Sequence, residues 1–144
     1  MLLGRFLDRI AGFNDRQLTL ADLAELCDRK GIELVQMPLR SLHGCALYQD
    51  GIPFLYINSR LNASDKVIAG FHEFCHLTDH ALEVGVFKST GNLWNLRKLE
   101  RQAQTIGVLA WMPEAEAAGL EIDELMARFA VRREVAEFRS SLLA

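Results

Sequence analysis

Apolar residues recur along this chain with two periods, and each change of period marks an element. Leu2, Leu3, Phe6, Leu7 and Ile10 fall at helical steps and predict an N-terminal helix within about residues 1–16. Thr19 reads as the N-cap of a second helix, whose stripe of Leu20, Leu23, Ala24, Leu26 and Cys27 stops at Gly31. The run "IELVQMP" alternates as a short strand that Pro38 ends. Two β-type runs in "CALYQDGIPFLYIN" flank Asp50-Gly51, a strong short-range hairpin signal. Pro53, near the start of the second run, predicts an edge position or the first residue of its strand.

Helical spacing returns after Ser64, which reads as a cap, with Val67, Ile68, Phe71, Phe74 and Cys75 on one flank. Gly85 and Gly91 bracket a loop. From Leu93, the positions Leu96, Leu99, Ala103, Ile106 and Ala110 recur at steps of three and four, which predicts a long helix. It should end near Met112, because Pro113 disfavours helical geometry in the residue before it. Two shorter helices are expected over about 121–129 and 132–143. The order is a helix, a small antiparallel-containing sheet, then mostly helices: an α+β fold, expected to form one domain over 1–144 with a C-terminal helical pair at about 119–144.

Composition narrows the function classes. The chain has 144 residues, 50% apolar and 24% charged, with a formal charge of −3. That is ordinary for a globular protein and gives no basic field, so nucleic acid is not the expected direct partner. Cys27, Cys45 and Cys75 are odd in number and form no CxxC pair, which points to a reducing compartment. No stretch approaches the roughly 20 apolar residues that span a bilayer, and the start lacks a signal-peptide pattern. A cytoplasmic protein without a membrane partner is expected.

The segment "AGFHEFCHLTDHALE" carries the chemistry. On a helix, residues four apart differ by about 40° in direction and about 6 Å in rise. His72 and His76 can therefore aim at one point, as a pair of zinc ligands in HExxH. Glu73, on the neighbouring flank, can take a proton from a water that the metal activates and pass it to a departing amine. A hydrolytic zinc site needs a third protein ligand. On a continuous helix His80 lies about 12 Å along the axis from His72, and no glycine breaks the helix before it, so it converges poorly. Cys75 falls on the apolar flank with Phe71 and Phe74 and reads as core. Glu100, in "LRKLERQAQTIGVLAWMP", sits beside the apolar stripe of the next long helix with Ala103 and Gln104 one turn on. It is either the third ligand or a solvated charge among Arg97, Lys98 and Arg101.

Around this centre, Asp79 can orient a ligand histidine, or it is an exposed helix-terminal charge. Tyr48, Tyr56 and His80 are candidates for an electrophilic group that steadies the tetrahedral intermediate. The Pro53-bearing run is a candidate edge for pairing with an extended substrate.

These residues together resemble the ImmA/IrrE-type metallopeptidases of bacteria and their mobile elements. The resemblance runs through "IPFLYIN", "FHEFCH" and "ERQAQTIGVLAWMP", and so covers most of the chain. It implies a zincin-like, gluzincin-type domain that binds one Zn2+ through His72, His76 and Glu100 and uses Glu73 as the general base. Gln104 stands where the family often has an acidic or amide side chain, Gln102 replaces a common glutamate, and "IGVLAWMP" replaces the usual aromatic and leucine pairs. Family members also carry an N-terminal helix-turn-helix domain, which this chain is expected to lack. Arg128, Arg132, Arg133 and Arg139 in the C-terminal pair are offset by Glu121, Asp123, Glu124, Glu134 and Glu137, so packing or partner docking is the expected role there.

The resemblance implies an endopeptidase that cuts a regulatory protein substrate, such as a helix-turn-helix repressor. The alternative is a zincin-fold binding module that regulates a partner without strong proteolysis.

Overall fold

The computed structural model describes residues 10–80 and 93–143, and the side chains of 10–78 and 97–142. In chain order the elements are α1 (Leu20–Lys30), β1 (Glu33–Met37), β2 (Gly44–Gln49), β3 (Ile52–Asn58) and α2 (Ala63–Cys75). A π-helical turn (His76–His80) follows, then α3 (Leu93–Trp111), α4 (Glu114–Ala117), α5 (Ile122–Phe129) and α6 (Arg133–Leu143). The fold is α+β, as the order of periods predicts. The short α4 after Pro113 is additional; four residues carry too little periodicity to be read from sequence.

Local chemistry explains most boundaries. Thr19 caps α1 in a full capping box: its hydroxyl accepts the Asp22 N–H, and the Asp22 carboxylate accepts the Thr19 N–H at 2.7 Å. Gly31 stops the helix in the left-handed region at φ 70°. Asp50 and Gly51 have φ of 53° and 79°, the two positive values that a two-residue hairpin loop demands. The helix expected over about 1–16 does not extend through residues 10–16, which form turns with Gly12 and Asn14 at positive φ. Residues 1–9 of that helix and the loop between Gly85 and Gly91 lie outside the described residues.

Two further expectations need correction. Asn62, not Ser64, caps α2, by accepting the Asp65 N–H at 2.9 Å. Ser64 is buried within the first turn, with Oγ 2.8 Å from both Asn62 Oδ1 and the Ala130 carbonyl oxygen. The strand that carries Pro53 is central rather than an edge: the sheet order is β1-β3-β2, with β1 parallel and β2 antiparallel to β3. Pro53 is tolerated there for a geometric reason. Gln49 and Ile52 flank the loop as the hydrogen-bonded pair, so Tyr48 and Pro53 form the next, non-bonded pair. On its other side β1 begins pairing only at Phe54.

Leu55 and Ile57 of β3 point to the helices and are fully buried with Leu23, Phe71, Phe74 and Ile106. A second cluster joins the end of α3 to the C-terminal helices through Met112, Leu125 and Phe129, and Trp111 packs against both clusters. Helices α2 and α3 run antiparallel and touch closely, for a Cβ at Gly107 would overlap the Ile68 carbonyl oxygen. Gly70, on α2, is similarly closed in by the Leu23 side chain. Gly107→Ala should therefore destabilise the chain by roughly 1–3 kcal/mol in denaturant unfolding, despite a helix-propensity gain of about 1 kcal/mol. A more stable variant would contradict this packing.

Candidate metal centre

Helix α2 is amphipathic, and the face opposite its buried Phe71, Phe74 and Cys75 carries His72 and Glu73 and is continued by His76, its C-cap and the first residue of the π-helical turn. The antiparallel crossing that sets Ile68 against Gly107 brings Glu100, two turns earlier on α3, to His72 and His76. His76 Nε2 lies 2.7 Å from Glu100 Oε1, His72 Nε2 lies 3.2 Å from Glu100 Oε2, and the two Nε2 atoms are 3.2 Å apart. Donors at zinc-like bond lengths of 2.0–2.2 Å and tetrahedral angles stand about 3.3 Å apart. The observed spacings approach that value, and ligand atoms of all three residues lie within 4.8 Å of one another. Two imidazole nitrogens and a carboxylate facing one point is an arrangement that a single cation satisfies, so the donor set fits a metal of the zinc type.

Glu73 stands beside this triangle, its Oε2 3.8 Å from His72 Nε2 and its side chain only 18% exposed. Hydrogen bonds from His72 and then His76 hold the Glu100 carboxyl far below the ordinary carboxylate range, against the opposing effect of its partial burial. Burial pulls His72 down, but the hydrogen bond to Glu100 and the charges of Glu73 and Glu100 outweigh it, and its pKa ends raised. Burial raises the proton affinity of Glu73; His72 and His76 oppose that rise and Glu100 reinforces it. A carboxylate tuned upward beside an electrophilic centre is suited to accept and return a proton.

The neighbouring residues sort cleanly. Cys75 is fully buried among core side chains, where its sequence pattern places it. Gln104 lines a cleft of about 220 Å³ together with His72 and Glu73. Tyr56 alternates with buried Leu55 and Ile57, so its ring leaves the far face of the sheet and stacks on Phe54 at 5.9 Å. That removes it as an electrophile. The Tyr48 hydroxyl donates to the Leu77 carbonyl at 3.4 Å, within the π-helical turn. The backbone of Asp79 and His80 completes that turn; their side chains lie outside the described residues.

Residues that periodicity did not single out complete the cleft. Gly44, the first residue of β2, lies so close to Glu73 that an added Cβ would stand 3.3 Å from its Cγ and 2.9 Å from the Tyr56 carbonyl oxygen. Only the His43-Gly44 pair before an apolar run hints at this in the sequence. Arg132, in the turn before α6, and Val135 on α6 form another wall, and nothing in their spacing marks them.

An imidazole must lose its proton before it binds a metal. Because the metal-free chain holds the His72 proton more tightly than free histidine does, zinc affinity should fall with falling pH from above the ordinary value of about 6.5. The expected slope is about tenfold per pH unit for one displaced proton. Chelator competition over this range measures it, and a flat profile between about pH 6 and 7.5 would contradict the electrostatic reading.

Comparisons with known proteins show the fold and the family. No curated protein matches the sequence. A solved structure named "Mycobacterium tuberculosis transcriptional regulator" superposes with a TM-score of 0.63 at 21% identity, which shows a shared fold. The match covers 97% of this chain and 54% of that one, so this chain spans about half the length of its structural relative. The Peptidase_M78 family model, described as the IrrE N-terminal-like domain, matches residues 27–141 and thus both segments that meet at the triangle. The chain belongs to this family, and with it to a metallopeptidase-like class.

Proposed function

We propose that this protein is a zinc-dependent endopeptidase that cuts a regulatory protein. The observation that carries the reading is the convergence of His72, His76 and Glu100 beside a buried Glu73, at the edge of a cleft. His72, His76 and Glu100 would hold the ion. Bound zinc supplies Lewis-acid polarisation of the scissile carbonyl and makes water a competent nucleophile near neutral pH. Glu73 takes the proton of the attacking water on its carboxylate and returns it to the leaving amine nitrogen. Its raised proton affinity supports both halves of that transfer.

Substrate alignment falls to β2 rather than to the Pro53-bearing strand. One side of β2 is unpaired among the described residues, and the strand starts at Gly44, against Glu73. An extended peptide can pair its main chain there and present a carbonyl to the centre. The side-chain-free Gly44 keeps that approach open.

A regulatory target, such as a helix-turn-helix repressor in the cytoplasm, fits the structural relative, which is named a transcriptional regulator. That name equally favours a second reading, in which the fold docks a partner and regulates it without cleavage. Glu73→Gln separates the two. It should leave about one zinc per chain and reduce cleavage of a protein substrate by roughly 10²–10⁴. Undiminished regulation of the target in cells carrying Glu73→Gln would select the docking reading and reject proteolysis.

A further inference from the structure

We propose that Arg132 makes the cleft beside Glu73 a receptor for a substrate carboxylate, either an acidic side chain or the C-terminal carboxylate of a peptide. The proposal rests on the peptidase reading for its choice of a peptide ligand, but its geometry stands apart from the metal donors.

Four arginines lie on or beside the C-terminal helices, and three are engaged within the fold. Arg128 pairs with Glu116 at 3.1 Å and Arg133 with Asp123 at 2.8 Å. Arg139 is fully buried and donates through Nε to the Met112 carbonyl at 2.7 Å and through Nη2 to Glu114 at 3.2 Å. Arg132 instead lines the cleft with His72 and Glu73. Among the described residues its ion contact is a 3.8 Å approach to Glu134, with both side chains more than half exposed at 61% and 75%. An exposed contact of that length contributes little and leaves the guanidinium available.

The turn that presents Arg132 is fixed to the same helices that carry the donors. Trp111 Nε1, at the end of α3, donates to the Phe129 carbonyl at 2.7 Å. Buried Ser64 of α2 reaches the Ala130 carbonyl at 2.8 Å, and Ala130 itself is left-handed at φ 54°. A non-glycine residue held there costs energy that its surroundings must offset. The two hydrogen bonds set the turn, and with it Arg132, against the cleft.

The cleft's chemistry favours an anion with an apolar stem. Ile68, Ala69 and Val135 supply apolar lining, while Gln104 and His43 add polar groups beside Arg132. Asp65 also lines the cleft, but it sits in the first turn of α2, where the helix N-terminus stabilises its charge. Among the described residues Arg132 meets a carboxylate only in the long, exposed Glu134 contact, and a guanidinium binds a carboxylate in a two-pronged, charge-assisted contact.

The test uses the zinc-loaded full chain carrying Glu73→Gln and two pools of random hexapeptides. One pool is capped at both ends, and the other has free C-terminal carboxylates. Mass spectrometry of retained peptides should show roughly threefold or greater enrichment of Asp and Glu over Asn and Gln in the capped pool, or of free over capped C-termini. The first outcome assigns an acidic side chain, the second a terminal carboxylate. Adding Arg132→Gln should abolish the enrichment, and Arg132→Lys should keep part of it. Retention that is indifferent to carboxylates, or unchanged by Arg132→Gln, or absent altogether overturns the proposal. Zinc content and hydrolysis by the wild-type chain are read separately. If they fail while Arg132-dependent retention persists, the peptidase reading falls and the receptor stands. If they hold without that dependence, the receptor alone falls.

Discussion

The close antiparallel contact of α2 and α3 is the constraint on which the rest depends. Gly107 lets the two backbones meet at Ile68, and the shared register then delivers Glu100 to His72 and His76 two turns away. A side chain at 107 would separate the helices at one end of this seam, and a shift of an ångström is large against donor spacings of 2.7 and 3.2 Å. The buried Phe71, Phe74 and Ile106 hold the seam from below, and β3 closes that core from the other side. Packing alone therefore sets the geometry of the three donors.

That geometry has an electrostatic cost in the metal-free chain. Two imidazoles and two carboxylates share a partly buried site, and each protonation state leaves some groups facing like partners. The raised His72 and the depressed Glu100 share a cause, the hydrogen bond between them, which favours the charged form of each against the burial that opposes it. A cation of the zinc type resolves the conflict, which couples metal binding to the stability of the helix pair. Glu73, beside this triangle and lining the cleft, has its proton affinity raised first by burial, with His72 and His76 opposing that rise.

Much of this was legible in the sequence, because the strongest local signals coincide with the elements that build the site. Asp50-Gly51 specified the hairpin, Thr19 and Gly31 the ends of α1, and the periodic run from Leu93 the helix that carries Glu100. HExxH spacing placed His72 and His76 on one helical face, and the structure brings Glu100 to them. What was not legible depends on contacts distant in sequence. Pro53 looked like an edge residue, and only the late pairing with β1 makes it tolerable in a central strand. Ser64 resembled a cap, yet its hydroxyl reaches Ala130, 66 residues on. Arg132 resembled any charge on a helical pair until the folded chain made it line the same cleft as Glu73. The π-helical turn after Cys75 likewise leaves no mark in the spacing of apolar residues, which fits one continuous helix.

The central claim is that helix packing gathers two histidines and one glutamate, and no thiolate, around a single zinc. X-ray absorption at the zinc edge of the purified, zinc-loaded chain tests it most directly. The expected first shell is nitrogen and oxygen at about 2.0–2.1 Å with the multiple-scattering signature of two imidazoles, and one oxygen fewer from protein in Glu100→Ala. A sulfur shell near 2.3 Å, or a spectrum that Glu100→Ala leaves unchanged, would contradict it.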